Sequence, residues 1–408
     1  MLANSAASAP DSVSIGGAVN FIADAIDFNA NVLMPSGSLG LTALKNAIHV
    51  GESSNINLAG VGVTFADKIV YTPGGSFSAT ANQGQITLAE GSLVDISSGG
   101  GNASGGQLTL KALQKNVELL GSIKAVKGSA EIDVASYSAN ADFNSLMNTL
   151  TTAGISDQLY FRVRQDDIEQ ATGQLIKANR ITLVSDTGSI KLAGTVNADN
   201  SGEAGKIQLY AGDNIVLADG ARLTAQGATG GKVLLASVDS DNDGTSGIRL
   251  QQGSEINVSG SDDASGGQVI LRALRTDEGI NIDALEGKVT GYAQQAAEIK
   301  DGQVVTQGYS AFYAEGVKKY DTAAIDALSA STGEINANVI NQINADTDAY
   351  MTAAMMNKVN NALGQGIRLR AAVQIDYKGD LASIVVGILP MRMITNRLTR
   401  ACVRYRVS

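Results

Sequence analysis

The chain reads GSIKLAGTVNADNSGEAGKIQLYAG from Gly188 to Gly212 and DNIVLADGARLTAQGATGGKVLLAS from Asp213 to Ser237. Each segment has a short run of alternating apolar and polar residues, a turn, a second short run and a glycine-rich loop. Alternation with a period of two is typical of β-strands, and glycine and asparagine favour tight corners between them. These segments therefore predict short strands joined by tight turns.

The same order of parts recurs at Gly84–Leu113 and Ser246–Leu274. If Ile190 is equivalent to Ile207, and Ile215 to Val233, the period is about 20 residues. A strand of three to five residues cannot bury its apolar side chains alone, but stacked coils can bury them in a continuous column. The sequence predicts an all-β protein, a β-solenoid of about 20 residues per coil.

Breaks in the period predict the organisation along the chain. Phe143–Thr152 (FNSLMNTLTT) has helical apolar spacing, and the clearest helical pieces further on are Asn338–Ile343 and Asp346–Val359. Leu381–Ser408 contains five arginines and no acid, which is consistent with a change of reading frame after Asp380. We predict β-helix coils at 12–136, an insertion with a short helix at 137–171, coils at 172–291, a mixed segment with helices at 292–365, a returning β-strand at 366–380 and an aberrant basic tail at 381–408.

Composition excludes several functional classes. The 408 residues carry a formal net charge of −10, with one Cys and one His. A single Cys cannot form an internal disulfide, and a single His excludes a multi-His metal site. An acidic chain without a basic stripe argues against nucleic-acid binding, and the longest apolar run, Ile384–Leu389, is too short to span a membrane.

The segment Asp239-Ser240-Asp241-Asn242-Asp243-Gly244 has the alternating carboxylates and the glycine that open a calcium-binding loop. A complete loop of that kind needs an acid at its twelfth position, which is Leu250 here. We favour a polar loop between strands and keep calcium binding by Asp239, Asp241 and Asp243 as the alternative.

Other residues with reactive or ligand-binding side chains have simpler interpretations. His49 is expected to point outward from a strand, and Cys402 to be an incidental free thiol. Chance explains the integrin-binding-like tripeptide Lys378-Gly379-Asp380. Aromatic and methionine residues of the C-terminal part are expected to pack helices onto the solenoid rather than to bind a ligand: Tyr309, Phe312, Tyr313, Tyr320, Met351, Met355 and Met356. We predict no catalytic, cofactor-binding or metal-binding residues.

The coil units Gly188–Gly212 and Ser246–Leu274 resemble the passenger region of filamentous-haemagglutinin-like exoproteins, the large adhesins of bacterial two-partner secretion. The ordered segments EGVKKYD, VINQINADTDAYM and IRLRAAVQIDYKGDL, between Glu315 and Leu381, are similar to the same family. The resemblance covers about Ser12–Leu381. It implies a right-handed parallel β-helix that an outer-membrane transporter exports to the surface of a Gram-negative cell or beyond it, where it binds a receptor or glycan on a host or neighbouring cell.

The functional expectation is a non-enzymatic adhesin shaft without a cofactor. The alternatives are a polysaccharide-active β-helix enzyme similar to pectate lyase, and the shaft of a contact-dependent toxin-delivery exoprotein. Enzymes of the first kind concentrate acids, Arg or Lys along one groove, whereas the Asp-rich loops here look dispersed, with no basic residue in register with them. Since the signal peptide and the N-terminal secretion domain of the family cannot be placed, we expect an internal or truncated piece.

Overall fold

The computed structural model describes residues 15–139, 141–202, 205–261, 266–277, 279–291, 298–300, 303–305, 311–364, 367–380, 382–383 and 403–406. Most of the strands in these ranges pair in parallel, and four helices interrupt them. The all-β parallel architecture is therefore confirmed. Within the described ranges, none of the helices combines the length and the apolar character that crossing a membrane requires.

Each coil contributes one long strand to a continuous parallel sheet, called here the long sheet. Its strands, in order across the sheet, are β1 (Ala18–Ala23), β4 (Ser38–Ala43), β9 (Ser76–Ala81), β12 (Gln107–Ala112), β15 (Gly128–Val134), β16 (Ile155–Val163), β19 (Arg180–Ser185), β22 (Lys206–Ala211), β25 (Lys232–Ser237), β28 (Gln268–Thr276), β33 (Ala311–Asp321), β35 (Ile367–Asp376) and β37 (Val403–Arg406).

Two further faces are built from strands of three residues. The first short face consists of β2 (Ile26–Phe28), β5 (Ile48–Val50), β10 (Ile86–Leu88) and β13 (Val117–Leu119), and separately of β17 (Ile168–Gln170), β20 (Ile190–Leu192), β23 (Ile215–Leu217) and β26 (Ile248–Leu250). The second consists of β3 (Asn31–Leu33), β6 (Asn55–Asn57), β11 (Leu93–Asp95) and β14 (Ser122–Lys124), and separately of β18 (Leu175–Lys177), β21 (Thr195–Asn197), β24 (Arg222–Thr224), β27 (Glu255–Asn257) and β30 (Lys288–Thr290).

The remaining strands form small pairs. Those antiparallel to their partners are β7 (Gly62–Phe65) with β8 (Lys68–Tyr71), β29 (Gly279–Ile280) with β28, and β31 (Glu298–Lys300) with β32 (Gln303–Val305), whereas β34 (Glu334–Ile335) and β36 (Ala382–Ser383) are parallel.

Inward side chains stack in columns along the coils. Ile181, Ile207, Val233 and Val269 are successive partners in the long sheet, and each is at most 1% exposed. Burying an aliphatic side chain of this size contributes roughly 1.5–3 kcal/mol. The core of the coils is therefore a continuous, mostly aliphatic column, which no single coil could bury by itself, and a second, smaller cluster forms where two helices of the C-terminal part pack on the ends of β33 and β35.

The pairing corrects the alignment predicted from the sequence. Ile190 pairs with Ile215 in the first short face, whereas Ile207 pairs with Val233 in the long sheet. Ile190 and Ile207 are thus not equivalent, because a coil contains three strands and not two. The spacing between true equivalents varies from coil to coil: it is 20 residues from Ala18 to Ser38, 22 from Gln107 to Ser129 and 26 from Ile207 to Val233. The count from the sequence joined two different kinds of strand with the same alternation.

A helix replaces both short strands in one coil. Helix α1 (Phe143–Ala153) follows Asp142, whose carboxylate accepts a hydrogen bond from the Ser145 backbone N–H at 2.8 Å, and Gly154 ends it with a φ of 86°. The apolar side of α1 faces the core, where the Phe143 ring meets Phe161 edge-on at 5.2 Å. The interruption is shorter than the predicted insertion at 137–171, because β16 and β17 already belong to the solenoid sheets.

Three helices lie between the last long strands. They are α2 (Thr322–Ser329), α3 (Ala337–Tyr350) and α4 (Ala353–Leu363), between β33 and β35. The helix predicted for Asp346–Val359 is two helices, because the Thr352 hydroxyl accepts a hydrogen bond from the Met355 N–H at 3.1 Å and begins α4. Within the strand predicted at 366–380, β35 spans Ile367–Asp376 and residues 377–380 lie beyond its end.

A half-buried arginine attaches α3 to the long sheet. The Arg275 guanidinium donates to the carbonyl oxygens of Gly316 (3.0 Å), Asp346 (3.2 Å) and Ala372 (3.0 Å), and lies 4.5 Å from the Tyr350 ring centroid. Burial lowers the pKa of Arg275 and raises that of Tyr350 to about 12. Arg275 therefore bridges β33, β35 and the C-terminal half of α3.

Candidate functional site

The candidate calcium loop, Asp239–Gly244, connects β25 to β26. The Asp239 side chain is buried, and its Oδ1 accepts hydrogen bonds from the Gly244 N–H and the Ser246 hydroxyl, both at 3.1 Å. Asp241 and Asp243 are exposed, yet one carboxylate oxygen from each of the three aspartates lies within 4.8 Å of the others. The structure therefore brings together the three carboxylates that the sequence singled out.

Much of this loop geometry arises from hydrogen bonds within the loop. The Asp243 carboxylate accepts from the Thr245 N–H at 2.7 Å and from the Thr245 hydroxyl at 2.8 Å. These bonds, the backbone one foremost, lower the pKa of Asp243. Such turns are the usual way in which short polar side chains replace backbone partners in tight loops.

A lysine on β33, two strands away from β25 in the long sheet, already brings positive charge to the loop. The Lys319 ammonium, on β33, donates to the Asp239 carbonyl oxygen and to the Asn242 side-chain oxygen. It also lies 3.7 Å from the Asp376 carboxylate. The ammonium group of the protein itself thus binds two oxygens that could otherwise ligate a metal ion. The local sequence pattern did not predict this contact, because it joins residues far apart in the sequence.

The structure does not bring the other candidate residues into one site. His49 is exposed in the middle of β5, between Asp27 and Thr87 of the adjacent strands. Lys378, Gly379 and Asp380 form an exposed turn after β35. Cys402 and Tyr309 lie outside the described residues.

The described aromatic residues of the C-terminal part face different directions. Phe312 and Tyr320 are buried, and the Tyr320 hydroxyl donates to the Asp346 carboxylate. Tyr313 points to the other side of β33, where the Arg370 guanidinium carbon lies 3.1 Å from its ring centroid. These rings do not form one ligand platform. Met351, Met355 and Met356 pack against the core, which confirms their assignment to helix packing.

The outward face of the long sheet carries acids and arginines that the sequence did not place together. The Asp133 carboxylate accepts from Arg164 Nε (3.0 Å) and Nη2 (2.8 Å), and Asp186 accepts from Arg162 Nε (3.0 Å) and Nη2 (2.6 Å). Arg162 Nη1 lies 3.8 Å from Asp133, which joins the two pairs. Each carboxylate forms a bidentate pair with an arginine of a neighbouring coil, and such pairs between opposite charges favour the observed register of the strands.

A second feature of this face is a row of cations. Arg180, Lys206 and Lys232 begin three successive long strands, pair with one another in register and are exposed. We call these three residues the cation row. Their alignment could be recognised only once the pairing of the long strands was known.

Comparison with family models, with curated proteins and with solved structures finds no match to this chain. The fold and the side-chain arrangement on the long sheet are therefore the basis for a functional proposal.

Proposed function

We propose that this chain is part of the shaft of a non-enzymatic adhesin of the filamentous haemagglutinin type, which attaches to host or neighbouring cells. In this proposal the solenoid is a right-handed parallel β-helix, exported through an outer-membrane two-partner-secretion transporter and displayed on the cell surface or secreted. Its partner is a receptor or glycan on the opposing cell, and it needs no cofactor and no nucleic acid.

The long sheet is the observation that carries the proposal. It runs in parallel from β1 to β35, with a register shift between β15 and β16, and repeats outward-facing side chains from coil to coil. Coils stacked about 4.8 Å apart make an elongated body with many similar exposed rows, which suits repeated weak contacts better than a single reaction centre. The resemblance of Gly188–Gly212 and Ser246–Leu274 to adhesin coils supports the same function.

Attachment of beads coated with the purified intact chain to cultured cells tests the proposal. We expect saturable attachment that soluble protein of the same sequence competes away. Attachment no greater than that of albumin-coated beads, on both host and bacterial cells, would contradict an adhesin.

A polysaccharide-active enzyme is the second candidate, and the cluster of Asp133, Arg162, Arg164 and Asp186 is the observation that favours it. Acids and arginines on one outward sheet face are the groups that a β-helix lyase needs. The bidentate pairing engages both carboxylates, so we expect no release of unsaturated or reducing ends from acidic polysaccharides. Turnover that is lost in Arg162→Gln but kept in the matched variant Arg249→Gln would replace the adhesin proposal by the enzymatic one.

The toxin-delivery shaft shares the architecture of the first proposal and differs in needing an effector domain.

A further inference from the structure

A lysine amine and a side-chain amide lie against each other where the Asp239–Gly244 loop meets β33. The Lys319 nitrogen donates to the Asn242 side-chain oxygen, and the two residues are 77 positions apart in the sequence. The amide carbon of Asn242 is bonded to that oxygen, so the lysine nitrogen is already close to the separation from which an amine attacks such a carbon. The contact thus brings a nucleophile and an electrophile together.

Both partners of this contact are held in position. Asn242 has a left-handed backbone with a φ of 62°, and Asp239 of the same loop has a φ of 51°. Such conformations are uncommon outside glycine and persist where the surroundings impose them. Lys319 also donates to the Asp239 carbonyl oxygen, and its side chain is 14% exposed, against 42% for the neighbouring Lys318. Holding two reacting groups together in this way accelerates their reaction by several orders of magnitude.

A carboxylate beside the lysine can accept the proton that the reaction releases. The Asp376 carboxylate, at the end of β35, lies 3.7 Å from the Lys319 nitrogen and accepts hydrogen bonds from Gln374 Nε2 at 2.9 and 3.1 Å. Contacts of a general acid or base are often this long before reaction and shorten as the transition state forms. Lysine, asparagine and a proton acceptor therefore meet at one place.

We propose that Lys319 and Asn242 form an intramolecular isopeptide bond. The neutral Lys319 amine attacks the Asn242 amide carbon, the bond from that carbon to the amide nitrogen breaks, and this nitrogen leaves as ammonia. Asp376 accepts a proton from the attacking amine and returns it to the leaving nitrogen. The product is a secondary amide, so no oxidant, reductant or other reactant is consumed. Because ammonia diffuses away, a small fraction of neutral amine is enough for the bond to accumulate.

The bond ties the loop between β25 and β26 to β33, two strands further along the long sheet. A covalent link between distant residues restricts the unfolded chain as a disulfide does, and the single Cys of this chain excludes a disulfide. The linked chain is therefore expected to have a higher Tm than the unlinked one, in which the Lys319 ammonium makes the contacts described above. This modification is independent of the proposed adhesin function.

Mass spectrometry of the purified intact chain tests the proposal. We expect a mass that is lower than that of the sequence by one ammonia. Trypsin should then release a branched peptide that joins residues 233–249 to residues 319–358, because cleavage after Lys319 needs its free amine. The linked fraction should grow faster as the pH is raised, since only the neutral amine attacks.

Four variants identify the reacting groups. Asn242→Gly, which tolerates the positive φ, and Lys319→Met should each abolish both the loss of ammonia and the branched peptide. Lys318→Met, the matched control, should form the bond as the parent chain does. Asp376→Ala should slow its formation at least about tenfold, because the proton acceptor is lost.

Three results would overturn the proposal. The first is a mass equal to that of the sequence after prolonged incubation of the folded chain at mildly alkaline pH. The second is an undiminished loss of ammonia in Asn242→Gly, which would place the reaction at another residue. The third is a branched peptide that is joined through Lys318. Formation of the bond at the parental rate in Asp376→Ala would overturn the role given to Asp376.

Discussion

The Lys319 ammonium occupies oxygen acceptors of the Asp239–Gly244 loop that would otherwise be available to a metal ion. It donates to the Asp239 carbonyl and to Asn242, and it approaches Asp376 on the next long strand. A buried or half-buried carbonyl that loses such a donor costs roughly 1–3 kcal/mol. The loop therefore depends on a residue that lies on another coil.

Because Lys319 already supplies the positive charge, we expect millimolar Ca²⁺ to leave the Tm of the intact chain unchanged. A ligand that binds only the folded state would raise the Tm with its concentration. Thermal unfolding followed by circular dichroism, with and without Ca²⁺, checks this. A concentration-dependent rise that Asp241→Asn abolishes would instead establish calcium binding by the three aspartates.

The substitution Lys319→Met tests the same contact from the lysine side. We expect a loss of stability of roughly 1–3 kcal/mol, because Asp239 and Asn242 lose their donor. Lys191→Met, which removes an exposed lysine from a short strand, is the matched control and should change stability by less than about 0.5 kcal/mol. Equal effects of the two substitutions would show that the Lys319 contacts contribute nothing.

Gly106 lies at a close approach between two coils. A Cβ at this position would sit 1.8 Å from the Gly75 carbonyl oxygen, so the backbone itself would have to move. We expect Gly106→Ala to destabilise the protein by about 3 kcal/mol, as overpacking does at a rigid contact. In Gly202→Ala, where the nearest such atom is Asn200 Oδ1 at 3.7 Å, we expect a change within about 0.5 kcal/mol. Urea unfolding of both variants measures these changes in stability. Similar unfolding midpoints for the two variants would contradict the close contact at Gly106.

At the scale of the element, α1 depends on the residue that precedes it. Asp142 caps the helix through the Ser145 N–H, and this bond, the larger cause, lowers the pKa of the Asp142 carboxyl below its usual 3.8. A carboxyl with a lowered pKa stabilises the folded state above its unfolded pKa and loses that contribution as the pH falls through its folded pKa. The cap is therefore a source of acid sensitivity in α1.

We expect Asp142→Ala to lower stability by about 1 kcal/mol at neutral pH, because the first turn loses its acceptor. The difference from the parent chain should shrink below pH 3.8, where the parent carboxyl also becomes protonated. Asp142→Asn keeps a cap without a charge and should remain close to the parent. Unfolding curves at several pH values measure this, and a pH-independent difference would argue against the charged cap.

Local elements were predictable to different degrees. The strand at Ile207–Leu209 and the helix at Phe143–Ala153 follow from apolar periodicity, which is a local signal. The register between Ile190 and Ile215 was not predictable, because the three kinds of strand share the same alternation. The contacts of Lys319 and the alignment of Arg180 with Lys206 follow only once that register is known, so the sequence alone could not identify the cation row.

For the molecule as a whole, nearest-neighbour stacking makes each coil nearly independent of distant ones. Ile207 contacts its equivalents in the coils before and after it, and β22, β23 and β24 together make up one complete coil. Stability is then close to a sum of coil and interface contributions.

Deleting residues 206–231 should therefore leave a folded protein that is one coil shorter. Lys232 then takes the place of Lys206, so that β25, β26 and β27 meet β19, β20 and β21 in register. We expect a body about 4.8 Å shorter by small-angle scattering, with an unchanged β-sheet circular dichroism spectrum per residue. Deleting residues 206–218 removes only part of a coil and is expected to abolish cooperative unfolding. Equal tolerance of the two deletions would contradict the coil boundaries.

The helical coil has a mechanical consequence. Both short faces stop at α1, so β15 and β16 are the one pair of strands that crosses this coil, and their register shifts between Gly128 and Ala130. Few other backbone bonds cross it, among them the Ala125 N–H donating to the Ala153 carbonyl oxygen at 2.7 Å. A rod pulled from its two ends would concentrate tension at this junction. The strands at this junction would separate before those of the uniform segments. The two folded segments would then remain connected by extended polypeptide.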